Sequence, residues 1–266
     1  MGTSLPFFSV VLPTHQRPLL FERALRSLRQ QSFQDFETLV VADVWDKDTA
    51  IVAAEQLGPN DVFLKRAGAP GPSASRNIGL ELARGEWVVF LDDDDTFAPH
   101  HLQTLHGQAQ RAESVALFSD CTVVTEDRTQ AGVPSLSRDP LGLISNDVNA
   151  VWIKNFIPAH ALAYRRSAIA ACLFDAHLAS LEDWDFLLAV CSRGMPKPYA
   201  GGGAVVHKDY ANPGISRGGQ DNANNSIVVL DYLHIYRRWP APTPALKAQR
   251  QALIKSVGLD LPIGWF

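Results

Sequence analysis

The sequence has few cysteines and no long apolar run. Its 266 residues include three cysteines, Cys121, Cys172 and Cys191, which are widely spaced and form no Cys-x-x-Cys pair. An odd number of isolated thiols indicates neither a disulfide framework nor a zinc site, and a reducing cytoplasm fits it best. The apolar segment Phe7–Leu12 ends at Pro13 and is too short for a signal or membrane segment, so we predict no signal peptide and no membrane-spanning segment.

The sequence also lacks an excess of basic residues. Lys and Arg total 24 against 28 Asp and Glu, which gives a formal net charge of −4. Binding to nucleic acid through overall charge requires a clear excess of Lys and Arg, so we expect no nucleic-acid partner. Hydrophobic residues make up 46% and charged residues 20%, as is typical of a folded globular protein.

Three common catalytic loops do not occur in the sequence context that each of them requires. No Gly-x-x-x-x-Gly-Lys-Ser/Thr run occurs, which argues against a P-loop kinase or ATPase. No Gly-x-Gly-x-x-Gly follows the first predicted strand. One Gly-x-Ser-x-Gly run occurs at residues 214–218, but it lies in a predicted loop and not between a strand and a helix, as a nucleophile elbow requires. Dinucleotide dehydrogenases and α/β-hydrolases are therefore disfavoured.

The first half of the chain alternates short apolar runs with amphipathic stretches. The apolar runs predict strands at Ser9–Thr14, Glu37–Asp43, Val62–Lys65 and Trp87–Asp92. The amphipathic stretches predict helices from Pro18 to about Gln30 and from Ala74 to about Ala83, the second capped by Ser73. Strand and helix in regular succession imply parallel strands with right-handed crossovers, hence an α/β fold with a doubly wound, mostly parallel sheet.

The second half is less regular. Its pattern predicts a strand at 115–124, a polar loop at 126–148 and a helix at 181–192. Gly201–Ser226 is rich in Gly and Asn and predicts a loop, either a mobile lid or an ordinary surface connection. After Ile227 we expect one or two helices, interrupted near Pro240.

Four consecutive aspartates, Asp92–Asp95, follow the fourth predicted strand. Carboxylates this close repel each other unless a cation neutralises them, and a divalent ion with oxygen ligands is the natural partner. Since ligands bind at the carboxyl ends of parallel strands, we expect this acidic run to lie beside Thr14–Arg17 and Asp43–Asp48. Such an ion would hold a diphosphate and stabilise a departing nucleotide. The alternative is a solvated acidic turn.

Two further patterns lie at predicted helix starts. Gly71–Asn77 leads into a helix amino terminus, where free N–H groups favour anions, and Arg76 adds a planar donor fork suited to phosphate. Glu182–Asp185 places three acids around one tryptophan, which indicates either a functional site or simple capping. His100 and His101 follow the acidic run and are expected on a helix surface rather than as ligands.

The order of these motifs resembles that of the family-2 inverting glycosyltransferases with the GT-A fold. Ser9–Arg17 is similar to the opening strand of that family, Arg76–Asp95 to its most recognisable block, and Phe174–Asp185 to its later acidic block. The resemblance covers roughly residues 7 to 220. It implies one Rossmann-like GT-A domain at 1–226, with a nucleotide-binding half at 1–112, an acceptor half at 113–226, and a helical extension at 227–266.

The resemblance also implies a role for each matching position. Asp183 matches the catalytic base, and Asp92 and Asp94 match the ligands of a divalent ion, Mn²⁺ or Mg²⁺, with Asp93 or Asp95 able to share that task. The positions expected to contact the nucleotide sugar are Pro13, Thr14, His15, Arg17, Asp43, Arg76, Asp92 and Asp93. The positions proposed for the acceptor are Trp152, His160, Glu182 and Trp184.

The implied reaction is transfer of a sugar from a nucleotide diphosphate to a hydroxyl of a carbohydrate or lipid-linked acceptor. Ala42–Trp45 departs from the usual Asp-Asp-Gly-Ser, so uridine as the base follows from the family alone. Synthesis of surface polysaccharide or glycolipid would place the protein in the cytoplasm, peripheral at the inner face of the membrane. One alternative is a nucleotide-sugar-binding module without turnover, which the presence of Asp183 disfavours. Another is a nucleotidyltransferase, which Pro13–Pro18 disfavours because it lacks glycine.

Overall fold

A mixed β-sheet forms the centre of the computed structural model, which describes residues 5–211 and 222–266, without the side chains of 222–226. The strands are β1 Phe8–Thr14, β2 Phe36–Ala42, β3 Val62–Lys65, β4 Trp87–Phe90, β5 Thr96–Phe97, β6 Ala116–Glu126, β7 Ser135–Leu141, β8 Leu162–Arg165 and β9 Lys197–Asp209. The helices are α1 Pro18–Arg29, α2 Lys47–Gln56, α3 Pro72–Leu82, α4 His101–Ala109, α5 Arg166–Ile169, α6 Glu182–Cys191, α7 Asn222–Arg238 and α8 Pro244–Ser256.

The first four strands form the parallel half of the sheet. β1 pairs in parallel with β2 and β4, and β2 pairs in parallel with β3. All seven residues of β1 are buried, as expected for a strand with helices on both faces. The predicted α/β fold is confirmed, and the four predicted strands agree with the structure to within two residues at each end.

The other half of the sheet is mixed rather than parallel. The order is β3-β2-β1-β4-β8-β6-β9-β5, with β7 pairing to β6. β8 is antiparallel to both β4 and β6, whereas β9 is parallel to β6. The loop predicted at 126–148 is wrong at β7, because this strand is almost entirely exposed and its polar sequence carries no apolar alternation.

The prediction of a loop at Gly201–Ser226 is also wrong at residues 201–209 and 222–226. The segment from Gly201 to Asp209 belongs to β9, and α7 begins at Asn222, while residues 212–221 lie outside the described part of the chain. A Cβ atom on Gly202 would lie 1.9 Å from Ser119 Oγ. These glycines therefore permit close packing of β9, which composition alone could not distinguish from loop flexibility.

Of the carboxyl-terminal helices, α7 packs on α6, and α8 contacts α7 and Trp152. The buried Tyr236 of α7 lies 5.7 Å from Trp184, measured between ring centroids, and donates a hydrogen bond of 2.6 Å to the carbonyl of Ile153. Arg250 of α8 is fully buried and donates to the carbonyl of Trp152. The predicted boundary at 226 falls inside α7, and no described helix has the length and hydropathy needed to cross a bilayer.

Candidate active site

A cleft of about 860 Å³ opens at the carboxyl ends of β1, β2 and β4. Its position follows from the parallel half of the sheet, where strand ends and the start of α3 meet on one edge. The cleft brings together every position predicted for the nucleotide and the metal, together with Glu182: Pro13, Thr14, His15, Arg17, Asp43, Arg76, Asp92, Asp93 and Asp94. It also contains Arg128, His207 and Asp209, which the sequence did not single out.

At one end of the cleft, Asp43 joins two strand ends to the loop before α3. Its Oδ1 lies 2.7 Å from His15 Nδ1, and its Oδ2 accepts a 2.8 Å hydrogen bond from the backbone N–H of Gly71. Gly71 has φ of +149°, a conformation that favours glycine, and Pro72 opens the helix directly after it. Asp43 and the exposed His15 thus present paired polar groups at this end of the cleft.

Asp93 is an internal link rather than a solvent-facing ligand. Its fully buried carboxylate accepts hydrogen bonds from Thr14 Oγ1 at 2.9 Å and from the backbone of His15 at 3.0 Å, and it pairs with Arg17. Burial raises the pKa of Asp93 to about 6, although Arg17 opposes this rise. The residue therefore ties the end of β1 to the acidic run.

Three residues form a compact group of oxygen and nitrogen ligands, namely Asp92, Asp95 and His160. One ligand atom from each lies within 4.8 Å of the others. A turn with a hydrogen bond of 3.0 Å from Asp95 N to Asp92 O brings the two aspartates to the same side. This spacing differs from the Asp92–Asp94 pair that the resemblance predicts.

The chemistry of His160 fits a metal ion. The ring is 95% buried, and neither nitrogen makes a hydrogen bond to a described residue, although Nδ1 lies 3.1 Å from Asp95 Oδ2. Burial lowers the pKa of His160 to about 4, so the imidazole is neutral at pH 7 and offers a lone pair. With two carboxylates beside it, the donor set suits Mn²⁺, which accepts both oxygen and imidazole ligands.

Asp94 has different neighbours from the rest of the acidic run. Its Oδ2 accepts from Arg128 Nη1 at 2.9 Å and from Arg17 Nη1 at 3.2 Å. Two guanidinium groups therefore share one carboxylate oxygen. The second predicted metal ligand thus faces arginines, while Asp95 takes the place beside Asp92.

Arg76 couples the acidic run to the start of α6. It donates to Asp92 Oδ1 and to Glu182 Oε1, each at 2.7 Å, and lies 5.3 Å from the ring centre of Phe174. Burial by itself would lower the pKa of Arg76, but the two carboxylates outweigh it and the pKa is raised. Since both terminal nitrogens bind carboxylates, Arg76 holds the two sides of the cleft together in addition to its predicted contact with phosphate.

Asp183 occupies the first turn of α6, which follows Leu181 in a left-handed conformation with φ of +62°. Its carboxylate accepts from the backbone N–H of Trp184 at 2.7 Å and from Asn155 Nδ2 at 3.3 Å. Burial, followed by the charge of Glu182, raises the pKa of Asp183 to about 6. Glu182 lines the cleft, whereas Asp183, the next residue in the sequence, does not.

Three of the four residues predicted for the acceptor are buried. Trp184 is fully buried and donates from Nε1 to the carbonyl of Val151 at 2.7 Å, and Trp152 is buried in the same core. His160 lies behind the acidic run, so only Glu182 lines the cleft. The prediction that Trp152 and Trp184 contact the acceptor is corrected here, because a large aromatic side chain stabilises the fold most when it is buried.

The expectation for His101 is corrected as well. Instead of lying on a helix surface, its ring is buried, stacks on Phe97 and accepts a hydrogen bond from the backbone N–H of Gly203 at 2.9 Å. Burial lowers the pKa of His101 to about 3. The residue therefore has a structural role beneath β5 and β9.

Glu126, at the end of β6, is a site residue that the sequence did not reveal. Its buried carboxylate accepts from Arg23 at 2.6 and 3.1 Å, from Arg128 Nε at 2.9 Å, and lies 2.9 Å from His207 Nδ1. Burial alone would raise its pKa, but hydrogen bonds from His207 and Arg23 lower it to about 2. Its main partners lie about 80 to 100 residues away, so no local pattern could have identified it.

Comparison with known proteins places the sequence among glycosyl transferases. Residues 9–173 match the family described as Glycosyl transferase family 2. A GalNAc(5)-diNAcBac-PP-undecaprenol beta-1,3-glucosyltransferase of Campylobacter jejuni is 35% identical over 125 residues, covering 46% of this chain and 40% of the relative. The succinoglycan biosynthesis protein ExoW of Rhizobium meliloti is 27% identical over 186 residues, covering 64% and 58%. The chain spans less than two thirds of both relatives.

Solved structures with the same fold include two complexes with nucleotide sugars. The crystal structure of S. aureus TarS 1-349 in complex with UDP-GlcNAc has a TM-score of 0.66 at 19% identity and covers 93% of this chain and 71% of that one. The mannosyltransferase PcManGT from Pyrobaculum calidifontis, in complex with GDP-Man and Mn²⁺, has a TM-score of 0.62 at 15% identity and covers 98% and 78%. At these identities the likeness concerns the fold.

Proposed function

Because the chain belongs to glycosyl transferase family 2, we propose that it transfers a sugar from a nucleoside diphosphate to an acceptor hydroxyl, with inversion at the anomeric carbon. One observation carries this proposal. Asp43 and the acidic run line one side of the cleft, Glu182 at the start of α6 lines the other, and Arg76 bridges Asp92 and Glu182. The predicted base Asp183 lies next to this bridge, so donor and base sides meet at one place.

The donor would lie along the strand ends, with its base near Asp43 and His15. Asp43 offers carboxylate oxygens to an N–H group of a base, which uracil and guanine both possess. The free N–H groups at the start of α3 favour the diphosphate. We propose a UDP-linked donor, for which the fold shared with a UDP-GlcNAc complex gives support, and GDP is the competing nucleotide for the test.

A divalent ion, Mn²⁺ or Mg²⁺, would supply positive charge to the diphosphate when bound. Asp92, Asp95 and His160 would hold it, since their ligand atoms are grouped and the two buried nitrogens of His160 make no hydrogen bond to any described residue. Asp94, the second ligand predicted from sequence, would join them only after leaving its arginine partners. The complex of PcManGT with Mn²⁺ supports a metal in this fold.

Asp183 would act as the base. The acceptor oxygen forms a bond to the anomeric carbon as the bond from that carbon to the diphosphate breaks, and the hydroxyl proton passes to the carboxylate. A pKa of about 6 leaves Asp183 largely ionised at pH 7 to 8, and it makes the carboxylate a stronger proton acceptor than an ordinary aspartate.

The acceptor would be a carbohydrate, free or linked to a lipid. The relatives named for an undecaprenol-linked substrate and for succinoglycan biosynthesis support synthesis of a polysaccharide or glycolipid. A lipid-linked acceptor would bring the protein to the inner face of the membrane.

A nucleotide panel followed by a transfer assay tests this function. Thermal shifts with UDP, GDP and their sugars, each with Mn²⁺ and with EDTA, should show stabilisation that depends on the diphosphate and increases with metal. Turnover of the stabilising donor with saccharide acceptors should then release the nucleoside diphosphate. A protein that no nucleotide stabilises, with or without metal, would contradict the proposal.

A further inference from the structure

Three arginines line the cleft, and they differ in what their side chains can still bind. Arg76 is 95% buried and uses both terminal nitrogens on carboxylates. The side chains of Arg17 and Arg128 are 42% and 19% exposed, so both reach the open space of the cleft. Of these two, only Arg17 belongs to a recognised motif.

Three hydrogen bonds fix the guanidinium group of Arg128. Its Nε donates to Glu126 Oε1 at 2.9 Å, and Nη2 donates to the carbonyl of His207 at 3.0 Å. Nη1 donates to Asp94 Oδ2 at 2.9 Å. Because a guanidinium has five N–H donors, these three contacts with described residues leave one further donor on each terminal nitrogen.

Two guanidinium groups converge on the Oδ2 atom of Asp94. Arg17 and Arg128 both donate to this one atom, at 3.2 and 2.9 Å. A phosphate oxygen carries similar charge and accepts the same bonds, and planar guanidinium groups match phosphate geometry well. Glu126 does not compete for this site, because its carboxylate is buried and lies on the far side of Arg128.

We propose that Arg17 and Arg128 bind the diphosphate of the donor, and that Asp94 occupies this arginine pair while the cleft is empty. The inference rests on the proposed function and adds Arg128 to it as a donor-binding residue. When the bond between sugar and diphosphate breaks, negative charge grows on the departing phosphate. Two fixed guanidinium groups at that position stabilise the charge without reorganisation.

The proposal predicts that Asp94 competes with phosphate when no metal is present. Asp94→Asn removes the competing charge, so inorganic pyrophosphate should bind this variant more tightly in EDTA, by roughly three- to tenfold. In the double variant with Arg128→Gln most of this gain should disappear. The measurement uses EDTA because Asp94 is also a predicted metal ligand. With Mn²⁺ present, losing this ligand would oppose the gain in pyrophosphate affinity.

The direct test measures binding by calorimetry in EDTA with three probes: inorganic pyrophosphate, the preferred nucleoside diphosphate and its nucleoside. Arg128→Gln should weaken binding of both phosphate-containing probes by roughly ten- to a hundredfold, because charge-assisted hydrogen bonds are lost. The nucleoside should bind equally to variant and wild type. Arg138→Gln is the matched control, since Arg138 is exposed on β7 and outside the cleft lining, and it should change none of the three affinities.

Unchanged affinity of Arg128→Gln for pyrophosphate and nucleoside diphosphate would overturn the proposal, as would an equal loss for the nucleoside. If Arg128→Gln fails to fold, the Asp94→Asn measurement decides alone, and unchanged or weaker pyrophosphate binding overturns the proposal. Failure of the proposed function looks different. A wild-type protein that binds pyrophosphate through Arg128 but no nucleotide would refute the nucleotide donor and leave the arginine pair standing.

Discussion

Asp183→Asn tests the predicted base through two independent properties. The substitution keeps the size of the side chain and removes the proton acceptor, so sugar transfer should fall by roughly 10² to 10⁴. Nucleotide binding should persist, because Asp183 does not line the cleft. The same change removes a carboxylate whose ionisation is opposed by burial and by Glu182, and this gives a second signature in stability.

The size of the stability effect follows from the pKa. The pKa of an ordinary aspartate is about 3.9, and the folded protein raises the pKa of Asp183 to about 6. The folded state therefore holds this proton more tightly than the unfolded chain. Its contribution to stability is present below about pH 4 and is lost as the pH rises through about 6.

The pKa of Asp183 differs by about two between the folded and unfolded protein. This difference changes the free energy of unfolding by about 3 kcal/mol at most, since each pKa unit is about 1.36 kcal/mol. Partial exposure of Asp183 reduces this value. The amide of Asn155 also reduces it, because its oxygen already accepts from Ile157 N at 3.0 Å and cannot turn freely toward a new amide. We expect Asp183→Asn to be more stable than wild type by about 1 to 2 kcal/mol at pH 8, and equal to it near pH 4.5.

Urea denaturation from pH 4.5 to 8, in EDTA, measures the difference in the free energy of unfolding. Asp93 and Asp95 also have raised pKa values, so wild type alone would not isolate Asp183, but the difference curve does. Asp139→Asn, at an exposed position of β7, is the control and should give a flat difference. In parallel, kcat/KM of wild type should fall below about pH 6 as Asp183 becomes protonated.

Two results would refute this reasoning. If Asp183→Asn transfers sugar at nearly the wild-type rate, another group accepts the proton. If the variant is less stable than wild type at pH 8, its carboxylate stabilises the start of α6 as a cap, and the pKa is not raised as the structure indicates.

Three other substitutions test separate parts of the structure. His160→Ala should weaken Mn²⁺ binding, measured by the EPR signal of the free ion, by roughly 10- to 100-fold, because it removes one of three ligands; unchanged binding would exclude His160. Arg76→Met should lower the free energy of unfolding in urea by about 1 to 3 kcal/mol, less than for a fully buried pair because Asp92 and Glu182 are partly exposed. Gly202→Ala should cost about 1 to 3 kcal/mol in thermal denaturation, since the new methyl group would meet Ser119, whereas a neutral effect would restore the flexible-loop interpretation.

Local sequence patterns were enough to predict the parallel half of the fold. Short Val- and Leu-rich runs alternate with amphipathic helices there, and a strand covered on both faces needs little more than this local pattern to be identified. The same regularity predicted the cleft. Parallel strands place their carboxyl ends on one edge, so Thr14, Asp43 and Asp92 had to meet although they are far apart in sequence.

Tertiary structure decided which side chains of the acidic run act together. A turn groups Asp92 with Asp95, and the burial of Asp93 and the arginines on Asp94 separate the other two. Spacing in sequence alone could not choose among four adjacent carboxylates.

Tertiary structure alone also brought Arg128 to the cleft and Glu126 behind it, because their partners are distant in sequence. It placed Trp184 in the core and made Gly202 a packing position. Neither the composition of a segment nor a position in a helix predicts the burial of Trp184 or the close packing at Gly202. The local sequence around a glycine or a tryptophan does not show whether that residue lies in a loop, at a cleft or in the core. The residues that pack against it in the folded protein determine its role.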